Sequence, residues 1–413
     1  MSVAAGLEKI RALDLSMGWA GPLVTEMLAE MGVQVIKVED TRNFDWWRGS
    51  LSMGPPEMQP VERSSVFNTA NRGKLGLTLD LSRPEGVAIL KRLAAASDIL
   101  VENFSPGTIG RLGLGWPELS ALNPRLIMIS LPAFGSEGPE SNARGYGMTI
   151  EAMAGVTALT AYHDGGAPYM LSNALGDPVS GLHGMLAVLA ALHERARTGR
   201  GQLVEVAEVE TVVPFVTGAL LEYQLSGRTP IPLGNRHSTA APHGIFRCAD
   251  DTFIALGVHN EDHWRALTDA LELSHLAEDP RFASADARKH NEDALEAELR
   301  PAILRLGADA AASRLIAAGV PAGQVNSSAD VLADRQIGAR SFFVPIDRAV
   351  VGTHLYPGAI ARLSATPLDA GRPSPMLGEH NESVLREMLA MSDAEIARLA
   401  EDGIIGSHPR SRP

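Results

Sequence analysis

The chain has 413 residues, of which 45% are hydrophobic and 21% charged, so it is long enough for two or three domains and too apolar to be disordered. Its formal net charge of −13 argues against nucleic acid as the main partner, because a phosphate backbone requires clustered cations. A single cysteine, Cys248, excludes an internal disulfide framework and a cysteine-based structural zinc site.

The first 40 residues predict a strand, a helix and a second strand. "IRALDLS" (10–16) has the pattern of a strand, and "GWAGP" (18–22) that of a turn in which Pro22 starts a helix over 23–32. "VQVIKVE" (33–39) is the apolar, β-branched run of a buried strand. This order is a βαβ unit, which implies parallel strands.

The same alternation continues to about residue 205 and predicts an open, Rossmann-like α/β sheet in a large domain over 1–205. The later strands are expected at 74–81, 98–104 and 125–135, with a helix at 83–97. Residues 206–235 run into a Pro/Gly/Ser-rich stretch typical of a linker. Residues 236–325 predict a smaller α+β domain that begins with a hairpin, and 326–413 contain more loops and a closing helix.

Asp177 stands directly before Pro178 and a long apolar run, and two interpretations of it remain open. An Asp–Pro pair is a good N-cap and first turn, so in one interpretation Asp177 only starts a helix. A carboxylate at a helix N-terminus is also kept ionised by the helix dipole and fixed in direction, as a carboxylate nucleophile must be.

The first βαβ unit also allows a dinucleotide site, with Gly18, Gly21 and Glu39 in roughly the expected places. The turn is "GWAGP" rather than G-x-G-x-x-G, and Trp19 stands where a backbone should approach a pyrophosphate. This pattern disfavours a nicotinamide-dependent oxidoreductase without removing it.

Several cations follow predicted strands, where ligands of open α/β sheets bind, and together they suit an anionic, phosphate-bearing ligand. They include Lys37, Arg42, Arg48, Arg72, Lys74, the segment 102–113 and Arg144. His259 and His263 are four residues apart, but no third ligand at metal spacing accompanies them, so no metal site is predicted. His237 and His243 flank a loop that is expected to lie at the surface.

Eight segments in order along nearly the whole chain resemble the class III CoA-transferases, the family of formyl-CoA transferase, carnitine CoA-transferase and α-methylacyl-CoA racemase. They include "LDLSMGWAGPLVTEMLAEMGVQVIKVE", "NRGKLGLTLDLSRPEG", "ILVENFSPGTIGRLGLGWPEL", "GDPVSGLHGMLAVLAALHERARTGRGQLVEV" and "GNRHSTAAPHGIFRCADD".

The resemblance implies that Asp177 is a covalent nucleophile, with Tyr146 near the substrate. It implies transfer of CoA from an acyl-CoA to a carboxylic acid through an aspartyl anhydride and an aspartyl-CoA thioester, with no tightly bound cofactor. The CoA-contacting residues it implies are Gly18, Arg42, Lys74, Asn103, Arg111 and Arg144. It also implies an interlocked-ring homodimer, in which 326–413 return to the large domain.

Within this family, an acyl-CoA racemase or isomerase remains an alternative. The racemase branch has a histidine where this chain has Tyr146, and without a second base a two-base proton exchange at the α-carbon lacks a partner. A CoA-binding protein without catalysis is a further alternative. No secretion signal and no apolar run of about 20 residues is recognisable, so we expect a cytoplasmic protein without a membrane span or nucleic-acid partner.

Overall fold

The computed structural model describes residues 7–49, 60–163, 165–171 and 174–410. Its contacts divide the described chain into two units, one from 1–156, 170–218 and 336–413, and the other from 157–169 and 219–335. Residues 157–169, which the sequence analysis places in the large domain, thus cluster with the second unit. None of the described helices has the length and apolar character needed to cross a membrane.

The first unit is built on a six-stranded parallel sheet with the strand order β3-β2-β1-β4-β5-β6. This confirms the predicted open sheet, and the order is that of a doubly wound Rossmann-type sheet. The strands are β1 (Arg11–Asp14), β2 (Gln34–Glu39), β3 (Leu75–Thr78), β4 (Ile99–Glu102), β5 (Ile127–Ser130) and β6 (Leu203–Glu205).

Helices connect these strands and cover both faces of the sheet. They are α1 (Ala20–Glu30), α2 (Ser65–Ala70), α3 (Pro84–Ala95), α4 (Thr108–Arg111), α5 (Trp116–Leu122), α6 (Gly147–Met153), α7 (Gly176–Thr198) and α8 (Glu208–Val212). Successive residues of each strand point to opposite faces, so the continuous apolar runs fill two cores. Leu13 and Ile36 enter one core, while the adjacent Ala12 and Val35 enter the other, beneath α1 and α7.

The second unit contains an antiparallel three-stranded sheet in the order β7-β8-β9. Its first two strands form the predicted hairpin, and its core lies between the sheet and the following helices. The strands are β7 (His243–Arg247), β8 (Phe253–Gly257) and β9 (Ala322–Gln324). The helices that follow α8 along this part of the chain are α9 (Thr217–Ser226), α10 (Glu261–Ala270), α11 (Ser274–Ala277), α12 (Ala285–His290), α13 (Glu292–Ile303), α14 (Ala308–Ala317) and α15 (Ser328–Ala333).

The chain ends with α16 (Arg335–Ala339), the hairpin β10 (Phe343–Arg348) and β11 (Gly352–Pro357), and the helices α17 (Asn381–Leu389) and α18 (Asp393–Glu401). Val384, Leu385, Ile396 and Leu399 of the last two helices are buried in the same core as α3. The C-terminal segment therefore covers one face of the six-stranded sheet.

The sheet changes direction between β1 and β4, because the chain winds outward from β1 to β3 and then from β4 to β6. Loops diverge at such a point and leave a crevice beyond the carboxyl ends of the two strands. In this chain the crevice lies between the turn after β1 and the segment that follows β4.

Candidate active site

The turn after β1 is fixed by side chains from two other segments. Asn103, which follows β4, accepts a hydrogen bond from the Met17 amide and donates one to the Met17 carbonyl, both at 2.8 Å. The Gly18 amide donates to Asp45 at 3.1 Å. Gly18 has a φ of +75°, and an added Cβ would meet the Trp46 ring at 3.0 Å, so the position suits glycine alone.

Lys74 is placed beneath this turn, fully buried and committed to the protein. Its ammonium donates to Asp14 at 2.9 Å, to the Pro22 carbonyl at 2.9 Å and to Asn71 at 2.8 Å. All three of its protons are thereby used, and Lys74 is not among the cavity-lining residues. In this arrangement Lys74 supports the turn.

Burial by itself changes the pKa values of Lys74 and Asp14 in opposite directions. Burial lowers the pKa of Lys74 to about 8, although Asp14 favours its charged form. Burial alone would raise the pKa of Asp14, but Lys37, Lys74 and hydroxyls of Ser16 and Thr25 outweigh it and hold that pKa at about 2. A buried network of ion pairs therefore supports the turn after β1.

The same buried network extends through Lys37 to the other cation near β2, Arg48. Lys37 donates to Asp45 at 3.0 Å, and Arg48 pairs with Glu39 at 2.8 Å and Glu62 at 3.1 Å, all inside the protein. The sequence pattern suggested that Arg48 binds a ligand, but in the structure Arg48 is paired with two buried carboxylates. Glu39, the acid of the dinucleotide interpretation, is likewise occupied by Arg48.

Asp177 lies in the first turn of α7, but the helix begins at Gly176 and Leu175 takes the N-cap position. The expected Asp–Pro N-cap is therefore wrong by two residues. Burial also opposes the expected effect of the helix dipole on the Asp177 carboxyl group. Burial, with a smaller contribution from Glu151, raises its pKa to about 6, and a backbone hydrogen bond from Gly147 opposes this only in part.

Gly147 touches this carboxyl group from the start of α6. A Cβ added there would stand 2.9 Å from Oδ1 of Asp177 and 2.5 Å from Cβ of Ala174. Tyr146 caps the same helix, with its ring 62% exposed and 6.3 Å from Trp46, centroid to centroid. The start of α6 therefore places a backbone donor beside Asp177 and an aromatic edge next to it.

Two further carboxyl groups surround Asp177. Glu151 of α6 is fully buried, and neither of its carboxyl oxygens has a hydrogen-bond partner among the described residues. Glu208, the first residue of α8, is 6% exposed. Burial, and then the charge of Asp177, raise the pKa of Glu208 well above its usual range.

These elements enclose a cavity of about 330 Å³. It is formed by the turn after β1, the segment after β4, the start of α6 and the first turns of α7 and α8. Its lining residues are Met17, Gly18, Trp46, Asn103, Phe104, Ser105, Pro106, Leu131, Ala133, Ala143, Arg144, Gly145, Tyr146, Asp177 and Glu208.

Five of the eight site residues inferred from the sequence lie together in this lining: Gly18, Asn103, Arg144, Tyr146 and Asp177. Arg144 is exposed and is the one cation among the described residues of the lining. Arg111 is exposed outside the lining and donates to Thr108 at 2.8 Å, and Arg42 pairs with Asp80 at 3.3 Å. The structure therefore does not bring Arg42, Lys74 and Arg111 into the cavity wall.

In the second unit, the rings of His237, His243, His259 and His263 lie near one another, with centroids 5.4 to 6.4 Å apart. Among the residues that the structure describes, no group of three or more His, Cys, Asp or Glu is arranged to hold a metal ion.

Sequence reasoning missed three residues of this region: Trp46, Glu151 and Glu208. Glu208 follows β6 as Asn103 follows β4, so the rule that ligands bind beyond strand ends could have identified it. The alternating "VEVAEVE" instead has the pattern of an ordinary half-exposed strand. For Trp46 and Glu151, no signal in the sequence marks the site.

Residues 7–381 match the protein family described as CoA-transferase family III. The chain is 34% identical over 403 residues to the succinyl-CoA–D-citramalate CoA-transferase of Chloroflexus aurantiacus, covering 97% of this chain and 98% of that protein. It is 34% identical over 388 residues to the succinate–glutarate CoA-transferase of Agrobacterium fabrum, covering 92% and 95%. A crystal structure of a CAIB/BAIF family protein from Brucella suis superimposes with a TM-score of 0.85 at 32% identity, covering 94% and 100%.

Proposed function

The chain belongs to CoA-transferase family III, and we propose that this enzyme transfers CoA from an acyl-CoA to a carboxylic acid through covalent intermediates on Asp177. The observation that carries the proposal is the position of Asp177. Its carboxyl group lines the cavity at the switch point of the sheet and accepts a backbone hydrogen bond from Gly147. A nucleophile must have this combination of reach and fixed direction.

In the first half-reaction, a carboxylate oxygen of Asp177 attacks the thioester carbonyl, and the C–S bond breaks. This gives a mixed anhydride and CoA thiolate. The thiolate then attacks the Asp177 carbonyl carbon, forming an aspartyl-CoA thioester and releasing the first acid, which keeps one oxygen from Asp177. The thioester's free energy is thereby kept in covalent bonds.

The second half-reaction reverses these steps with another acid. Its carboxylate attacks the aspartyl-CoA thioester, CoA thiolate leaves, and the thiolate then attacks the acyl carbon of the new anhydride. The new acyl-CoA departs, and Asp177 regains a carboxylate that contains one oxygen from the acceptor. Both anhydrides hydrolyse if water reaches them, so the reaction requires water to be excluded from the cavity.

The other cavity residues are assigned to CoA and to positioning. Arg144 supplies a positive charge for the phosphate-bearing part of CoA. Gly18 leaves room for the thioester arm, and Asn103 holds the turn through both atoms of its amide. Arg42 and Arg111 are proposed as outer CoA contacts, while Lys74 supports the turn from below.

The test is trapping of the intermediate. Succinyl-CoA, the CoA donor in the name of the Chloroflexus relative, is incubated with the enzyme, hydroxylamine is added, and the peptide containing Asp177 is analysed by mass spectrometry. We expect a hydroxamate at Asp177 and none in Asp177→Asn. Turnover with citramalate or glutarate while Asp177 stays unmodified would contradict the proposal.

The racemase alternative predicts a different result. An acyl-CoA with a stereocentre next to its carbonyl would exchange its α-proton with deuterated water in the absence of any acceptor acid. We expect no exchange, because Tyr146 stands where a second base is needed.

We also propose that the enzyme is an interlocked homodimer in the cytoplasm. Helix α9 supports the dimer, since none of its residues is buried within the chain, although it contains Leu220, Leu221, Tyr223 and Leu225. An apolar helix surface of this kind is typical of a protein–protein contact. Light scattering should give twice the chain mass, and replacing Leu225, which is 89% exposed, with Glu should weaken association.

A further inference from the structure

Glu208 combines features that the reaction described above leaves unused. It is 6% exposed, it lines the cavity beside Asp177, and its carboxyl group has no hydrogen-bond partner among the described residues. The carboxyl oxygens of Glu208 are not among the fully buried atoms without a partner, so they open into the cavity. A hydrogen-bond partner for them can therefore arrive with the substrate.

The groups that face Glu208 from its surroundings are mostly acidic. Asp177 of α7 acts on it directly, and Glu151 of α6 acts on Asp177. The nearby cation of the lining is Arg144, which is exposed. On its own helix Glu210 is exposed, and on α7 the exposed His183 bonds back to the Val179 carbonyl at 2.9 Å.

When the acceptor acid binds, Asp177 is an aspartyl-CoA thioester and carries no charge, so Glu208 is the carboxyl group that would repel the incoming carboxylate if it were ionised. Glu208 must therefore be neutral at that point, and in the free enzyme the environments of the two acids also differ. Asp177 lies in the first turn of a 23-residue helix and accepts the Gly147 hydrogen bond, and both features favour its anion. Glu208 begins a helix of 5 residues and has no such donor. Environments that differ in this way separate the roles of two neighbouring acids.

We infer that Glu208 is held as a neutral carboxylic acid and donates its O–H to the carboxylate of the acid that reacts at Asp177. A hydrogen bond from a neutral donor to an anion is short and strong, and in this cavity it replaces a repulsion. No proton is transferred, so Glu208 is a substrate-binding residue that orients the acid. The inference rests on the proposed function, because the acid is the acceptor of that reaction.

The experiment compares wild type, Glu208→Gln, Glu208→Ala and the control Glu210→Gln, which changes an exposed glutamate of the same helix. Glutamine keeps a donor and cannot ionise, whereas alanine removes the group. Three quantities are measured: the infrared band of protonated carboxyl groups near neutral pH, the KM for glutarate with succinyl-CoA as donor from pH 6 to 9, and hydroxylamine trapping at Asp177 with succinyl-CoA alone. Thermal unfolding confirms that each variant is folded.

Other buried acids such as Glu30, whose pKa is raised to about 7, contribute to this band in every variant, so difference spectra are compared. Wild type minus either Glu208 variant should show a protonated-carboxyl band, and wild type minus Glu210→Gln should show none. The glutarate KM should rise about 10- to 100-fold in Glu208→Ala and stay within about threefold in Glu208→Gln. In wild type the same KM should rise at alkaline pH as Glu208 ionises, and Glu208→Gln should remove this rise.

An infrared spectrum with no band assignable to Glu208 would overturn the inference. This arm of the test does not depend on glutarate being a substrate. So would a folded Glu208→Gln that is as impaired as Glu208→Ala, because Glu208 would then act as an anion. These failures are distinguishable from failure of the proposed function. If the inference alone is wrong, wild type still forms the Asp177 adduct, whereas without that adduct the proposed function and the inference both fall.

Discussion

Replacing the proposed nucleophile, Asp177→Asn, should stabilise the protein at alkaline pH. The folded structure raises the pKa of Asp177 from 3.8 to about 6, so the folded state binds this proton more tightly than the unfolded chain. The stabilisation is fully present below pH 3.8 and is lost as the pH rises through about 6. At pH 8 the wild type has an ionised, partly buried group that the asparagine variant lacks.

The shift of about 2 pH units corresponds to about 3 kcal/mol in the free energy of unfolding. By linkage, wild type regains about 2 kcal/mol of this on going from pH 8 to pH 4.5. The stability difference between Asp177→Asn and wild type should therefore be about 2 kcal/mol larger at pH 8 than at pH 4.5. Any effect of the asparagine on stability that does not depend on pH cancels when the difference at pH 4.5 is subtracted from the difference at pH 8, which gives a double difference.

Urea unfolding followed by tryptophan fluorescence is a suitable assay. Trp19, Trp46, Trp47 and Trp116 lie in the unit that contains Asp177, and Trp264 lies in the other. The control Glu210→Gln removes one exposed acidic group from the same region and should show no comparable pH dependence. A double difference of zero, or one of opposite sign, would refute the assignment of Asp177 as a destabilised carboxylate.

Three other outcomes are expected. In the pH profile of kcat/KM with succinyl-CoA, the acid limb should have an apparent pKa near 6, because Asp177 must be ionised to attack; a flat profile down to pH 5 would contradict this. Lys74→Met should cost about 3 kcal/mol of unfolding free energy by removing one of the two cations beside buried Asp14, whereas Arg144→Ala should leave stability within about 0.5 kcal/mol and weaken CoA binding about tenfold in calorimetry; the opposite ranking would reverse their roles. Gly147→Ala should abolish trapping at Asp177, since its Cβ would stand 2.9 Å from Oδ1, whereas Gly338→Ala, with nothing within 4 Å, should behave as wild type; an active Gly147→Ala would count against this geometry.

The large sheet could be predicted because buried parallel strands have distinctive sequences. Runs such as that at 33–39 are apolar on both faces, and this pattern is local. The path of the chain from β6 to α8 was harder to predict from the sequence. Its residues alternate as an exposed strand would, and only the sheet order places Glu208 opposite Asp177.

Charged residues near strand ends were harder to interpret than the strands. Lys74 and Arg48 were grouped with the ligand-binding cations, but their partners Asp14, Glu39 and Glu62 are set by the fold. A sequence does not state whether a cation faces water or a buried carboxylate. Asp177 stood out mainly through its family resemblance, since its position before Pro178 also fits a plain helix start.

The central claim is that Asp177 exchanges an oxygen with the acids that it processes. The enzyme is taken through several turnovers with succinyl-CoA and glutarate labelled with ¹⁸O in its carboxylates, and the peptide containing Asp177 is then weighed by mass spectrometry. The account predicts ¹⁸O in the Asp177 side chain, because each acceptor leaves one oxygen behind. Efficient transfer with an unlabelled Asp177 would contradict it.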